Sequence, residues 1–87
     1  MNQNILFTDQ KHWDDSRQCV VFFAQQSGQL IACSASLSLL SQLDHQTLSS
    51  EKQALEAFQR VQFDLEELAE QAIEDEAFSP SGEIDLG

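Results

Sequence analysis

The sequence predicts an α+β domain: a small antiparallel sheet with a short and a long helix packed on one face. Three observations carry this. A Val- and Phe-rich segment, Gln18 to Gln26, is followed by Ser27-Gly28 and then by a second apolar segment, Gln29 to Ala35, which reads as a β-hairpin. Two helical patterns follow in succession, with no strand between them. A short alternating segment, Glu83 to Leu86, closes the chain. The order β-β-β-α-α-β separates strands from helices, which marks α+β rather than α/β.

The elements follow in chain order. Asn4 to Thr8 reads as a first strand, and Asp9 to Ser16 as a polar loop or helical turn pinned by Trp13. A two-residue loop at Ser27-Gly28 fixes the hairpin register, pairing Gln26 with Gln29, Ala24 with Ile31, Phe22 with Cys33 and Val20 with Ala35. Paired residues share a face, so Val20, Phe22, Ala24, Ile31, Cys33 and Ala35 form the expected core side. Cys19 and Cys33 then point to opposite sides of the sheet, and no disulfide is expected between them. Ser36 is placed to cap a short helix, Leu37 to Leu43. Ser50-Glu51-Lys52-Gln53 has the form of a capping box, and a long helix is expected from there to about Phe78. Its apolar stripe is Ala54, Phe58, Val61, Leu65, Leu68 and Ala72, at intervals of four and three. Ser79-Pro80-Ser81-Gly82 should stop it, and Glu83 to Leu86 should form an edge strand.

Length and composition bound the rest. Eighty-seven residues make one domain, 1–87, with a small core. No stretch approaches the roughly 20 apolar residues of a membrane span. The start, Met1-Asn2-Gln3-Asn4, has no basic region leading into a long apolar one, so no signal peptide is expected. The expected location is therefore cytoplasmic, with both cysteines reduced.

Charge is the most informative property. Residues 44–87 carry twelve Asp/Glu against Lys52 and Arg60, a net charge of 2 − 12 = −10. Residues 1–43 carry three Asp against Lys11 and Arg17, a net charge of 2 − 3 = −1. Such a field repels nucleic acid and anionic lipid and attracts basic protein surfaces. The expected partner is thus a basic protein, with no direct nucleic-acid contact and no membrane.

Chemistry-bearing motifs are sparse. Two cysteines with no Cys-x-x-Cys or His-x₃-His spacing do not form a zinc site, and they read as small buried hydrophobes. The serines occupy no nucleophile elbow, and there is no Gly-rich phosphate loop. Glu74-Asp75-Glu76 lacks the alternating frame of a calcium loop. No cofactor, metal or catalytic residue is assigned. A ligand-binding or enzymatic alternative would have to use His12, Asp14 and Asp15, although neighbouring residues rarely converge on one point.

Two surfaces are candidates for contact. Phe63 lies about 140° from Phe58 around a helix of 100° per residue, off the apolar stripe and surrounded by Gln59, Glu67 and Glu70; the candidate partner contact is Phe63 with Glu67, Glu70 and Glu74. Either another element covers it, or it stands exposed among carboxylates as the anchor of a partner contact. On the outer hairpin face, Val21, Phe23 and Leu30 form an apolar patch. Either the Asp9–Ser16 loop folds over it, or it serves self-association as a homodimer or other homo-oligomer.

The chain also resembles a known family. The residues are Phe7, Asp9 and Trp13; Cys19-Val20-Val21-Phe22 with Ala24; Gly28, Ile31, Cys33 and Ser36; then Ala57-Phe58 and Asp64-Leu65-Glu66-Glu67 with Ala69-Glu70. In this order and spacing they are similar to the YrdB-like family of small uncharacterised bacterial proteins, over nearly the whole chain. The resemblance implies a compact α+β domain. It brings no catalytic residue with it.

Overall fold

The computed structural model describes residues 4–87; Met1, Asn2 and Gln3, read above for an export signal, lie outside the described residues. The elements are β1 (Ile5–Asp14), β2 (Cys19–Gln26), β3 (Gln29–Ser36), α1 (Leu37–Asp44), α2 (Glu51–Arg60), α3 (Gln62–Glu74) and β4 (Ile84–Asp85). The α+β class stands. The sheet has the order β1-β2-β3-β4.

The hairpin adopts the register expected of a two-residue loop, from Gln26↔Gln29 through Ala24↔Ile31 and Phe22↔Cys33 to Val20↔Ala35. Ser27 and Gly28 both take positive φ, 52° and 81°, as a type I′ turn requires. Its twist matches that of the strands it joins.

Three features differ from the sequence expectation. First, β1 runs on to Asp14 where a loop was expected from Asp9. It pairs antiparallel with β2, but Phe7↔Ala24 is followed by Lys11↔Phe22, so Thr8, Asp9 and Gln10 together stand opposite Phe23. This bulge breaks the alternation by which the strand would be read. Second, β4 pairs parallel to β3, Cys33↔Ile84 and Ser34↔Asp85, so the sheet is mixed rather than wholly antiparallel. The three intervening helices supply the long crossover that a parallel pair needs. Third, the long helix is two. Val61, with φ −112° and ψ 19°, leaves helical geometry and separates α2 from α3. The helix also ends at Glu74, before Ser79-Pro80. Glu76 takes φ 56°, its N–H donates to Ile73 O and that of Ala77 donates to Ala72 O. This is a Schellman ending with Glu where Gly is usual.

Both expected caps are present. Ser36 Oγ accepts from Leu39 N at 3.0 Å and Ser50 Oγ from Gln53 N at 3.1 Å. The return half of the capping box shifts by one residue, since Gln53 Oε1 accepts from Ser49 N rather than Ser50 N.

The core joins the inner sheet face to the helices: Val20, Phe22, Ala24, Ile31, Cys33 and Ala35 meet Leu40, Ala54, Phe58, Leu65 and Ile73. Phe22 and Phe58 meet with ring centroids 5.2 Å apart and planes inclined by 59°. That tilted contact fastens α2 to the middle of the sheet.

Candidate functional site

α3 places the acidic surface. Its buried residues, Leu65, Ala69 and Ile73, repeat every four positions and turn that side to the core. Phe63, Glu67, Glu70 and Glu74 recur at i, i+4, i+7 and i+11, which aligns them on another side. Phe63 is 84% exposed; no other element covers it. Glu67 and Glu74 are exposed and Glu70 is half-buried.

Beside this row, α1 and α3 enclose a groove of about 520 Å³, lined by Leu43, Leu68, Asp64, Glu67, Glu70 and Glu74 among others. Leu68, expected on the core stripe, is instead 42% exposed there. α3 contains no Lys or Arg. Gln62 Nε2 donates to Glu66 and Gln71 Nε2 to Asp75, so neutral amides occupy positions where cations would screen the carboxylates. The result is an acidic face with apolar points at Phe63, Leu43 and Leu68.

The arginines are engaged elsewhere. Arg60 pairs with Asp44 at 2.7 Å, and Arg17 pairs with Asp14 at 2.8 Å and Glu83 at 3.4 Å. The first joins two helices, and the second joins the β1–β2 turn to the segment before β4.

The His12, Asp14 and Asp15 cluster is not assembled. Asp14 accepts from Ser16 Oγ, Ser16 N and Arg17 within its own turn. Those bonds, Arg17 foremost, hold its carboxyl down to about 2. Asp15 accepts from the Trp13 indole at 3.2 Å. His12 lies on the outer face, its ring centroid 6.0 Å from that of Phe23. Trp13 shares the inner face with its partner Val20 and packs against the core edge. The β1–β2 turn therefore does not fold across the hairpin.

Both cysteines are buried and free. Burial pushes the Cys33 thiol up to about 11 and also raises that of Cys19, away from the thiolate that nucleophilic or redox chemistry uses. Among the described residues, no three His, Cys, Asp or Glu side chains gather as a metal ion would need. Among them too, no helix is long and apolar enough to cross a membrane.

On the outer hairpin face the three candidates differ. Val21 is 4% exposed, Phe23 is half-buried, and Leu30 is 60% exposed. Leu6, whose exposure the strand pattern does not signal, joins Leu30 across Gln25 as a second exposed side chain. A groove between β1 and α2, about 1130 Å³ and lined by Lys11, His12, Phe23, Lys52 and Leu55 among others, was also not anticipated. Its walls come from the bulge and from the seat of α2, neither of which local sequence specifies.

The architecture is that of a small α+β domain with an acidic helical face. A family model described as "Protein of unknown function (DUF1488)" matches residues 5–86, and the chain belongs to that family. It is similar to the uncharacterized protein YrdB of Escherichia coli K12, 34% identical over 82 residues, which is 94% of each chain. YrdB of Shigella flexneri is 33% identical over 82 residues, again 94% of each. A crystal structure of a DUF1488-family protein from Shewanella loihica PV-4 matches with a TM-score of 0.91 and 41% identity, over 98% of this chain and 93% of that one.

Proposed function

We propose that this protein is a non-enzymatic interaction module whose α3 face, Phe63 with Glu67, Glu70 and Glu74, recognises a basic protein surface. The observation that carries this reading is Phe63: a large aromatic, 84% exposed, in line with three carboxylates. An aromatic side chain that becomes buried at the centre of a contact is a recurrent form of binding hot spot. The carboxylates steer a basic partner into encounter, and the Leu43–Leu68 groove beside them offers apolar surface to a side chain of that partner.

The charge arrangement supports the reading in a second way. Glu66, Glu70 and Glu74 repeat at i,i+4, and each such like-charge pair destabilises a helix by about 0.2–0.5 kcal/mol. Glu74 also ends a helix where the macrodipole disfavours negative charge. A basic partner relieves both.

The test is affinity capture from native cell extract at low and moderate salt, with wild type and Phe63→Ala. The reading expects a basic protein held at low salt, released by salt and lost with Phe63→Ala. Capture indifferent to salt and to position 63 counts against it.

A further inference from the structure

We propose that the groove between the β1 bulge and the first turns of α2 binds a small organic monoanion with an apolar body, such as an aromatic or short-chain carboxylate. This site shares no residue with the α3 face and does not depend on the function proposed for it.

The chain has four Lys and Arg. Both arginines are ion-paired, whereas among the described residues Lys11 and Lys52 make no ion pair. Both of these lysines line this one groove. In a chain with fifteen Asp and Glu, the two cations that have no carboxylate partner line the same groove.

Each lysine is placed by structure. Lys11 follows the bulge and pairs with Phe22 on the inner face, and its Nζ stands 5.8 Å from the centroid of the Phe58 ring. That cation–π contact holds the stem against the edge of the core. Lys52 is the second residue of α2, where the macrodipole disfavours a cation. The same macrodipole favours an anion bound there, so ammonium groups and helix end act in one direction.

The rest of the lining sets the ligand class. The Phe23 ring and Leu55 supply apolar surface. Asp9, Glu51 and Glu56 also line the groove, so its formal charge is 2 − 3 = −1 with His12 neutral. Those three carboxylates oppose a dianion about twice as strongly as a monoanion. The proposed ligand sets its single charge beside the Lys11 and Lys52 ammonium groups and its apolar body on Phe23 and Leu55. The groove is of the size used for small molecules, and its open side sets the occupant well below its full volume.

The test is a ¹H–¹⁵N NMR titration with phenylacetate, with phenethylamine as the same body bearing the opposite charge and inorganic phosphate as the charge without the body. The expected result is saturable shifts from phenylacetate at Lys11, His12, Phe23, Lys52 and Leu55, and none there from the amine or phosphate. The double variant Lys11→Gln/Lys52→Gln should keep a dispersed spectrum, since both side chains are exposed, and bind phenylacetate at least tenfold more weakly. No saturable shift with phenylacetate, equal shifts with phenethylamine, or undiminished binding by the double variant would overturn the proposal. Single variants keep it decidable if the double variant fails to fold: each should weaken phenylacetate binding, and no effect from either overturns it.

Discussion

Arg60 holds Asp44 in a two-pronged grip, Nε donating to Oδ1 at 3.0 Å and Nη2 to Oδ2 at 2.7 Å. The pair fastens the last residue of α2 to the last residue of α1, and only 7% of the Asp44 side chain is exposed. At the β1–β2 turn Arg17 divides its guanidinium, Nε donating to Asp14 Oδ2 at 2.8 Å and Nη1 to Glu83 Oε1 at 3.4 Å. Arg60–Asp44 and Arg17–Glu83 tie segments distant in sequence, whereas Arg17–Asp14 holds a single turn, and both aspartates make the fold sensitive to acid.

The Arg17 guanidinium and Ser16 hydroxyl hold Asp14 down to about 2, from an ordinary 3.8, and Arg60 lowers Asp44. A carboxyl depressed by folding binds its proton first in the unfolded chain. Its stabilising contribution is therefore complete above the ordinary carboxylate value of 3.8 and is lost as pH falls toward about 2. The urea midpoint of wild type should drop across that window. Because the other carboxylates also titrate and relieve repulsion, the decisive quantity is the difference from Asp14→Asn/Asp44→Asn. The double variant should be less stable at pH 6 and should converge on wild type near pH 2. A constant offset at all pH values would contradict the assignment.

The two helical phenylalanines on either side of the Val61 break should behave oppositely. Phe58 is buried against Phe22, so Phe58→Ala is expected to cost about 3–5 kcal/mol, a large part of the stability of a domain this size. Phe63 touches little of its own chain, so Phe63→Ala should change stability by no more than about 0.5 kcal/mol. Thermal and urea unfolding of the two variants checks the contrast. A destabilisation of several kcal/mol at position 63 would mean that the side chain packs within the fold.

Glu76 terminates α3 in the left-handed region, φ 56°, where a Cβ is unfavourable. Glu76→Gly should stabilise the protein by roughly 0.5–1 kcal/mol by removing that strain and a carboxylate from the helix end. The Tm should rise by several degrees in a domain of this length. Glu76→Ala keeps the Cβ, relieves only the charge, and should gain less. Calorimetry of the pair separates backbone strain from electrostatics, and equal gains would remove the backbone term.

What the sequence conveys about this fold is mostly local chemistry. Ser27-Gly28 sets its own turn type and with it the hairpin register, which places Cys19 and Cys33 on opposite faces. Ser36 and Ser50 announce their helices because the capping oxygens belong to the same turn. The break at Val61 is hidden because Phe58, Val61 and Leu65 continue one apolar period across it. β1 beyond Phe7 is hidden because the bulge at Thr8–Gln10 destroys the alternation. The direction of β4 is set by the crossover and not by Ile84-Asp85. The same division applies to the surfaces. Phe63 stands out although its angle from Phe58 assumes one unbroken helix: within α3 alone it lies two residues before buried Leu65, about 160° away around the helix, whereas the Lys11–Lys52 groove exists only after the bulge and α2 have been brought together.

The most direct test of the interaction reading is photocrosslinking from position 63. Phe63 is replaced by benzoylphenylalanine, and the variant is irradiated in native cell extract at low and moderate salt. The same substitution at Gln10, an exposed residue remote in sequence from α3, serves as control. One adduct with a basic protein is expected from position 63, diminished by salt, lost when Glu67, Glu70 and Glu74 are changed to Gln, and absent from position 10. Absence of any adduct from position 63, or the same adducts from both positions, would contradict the interaction reading.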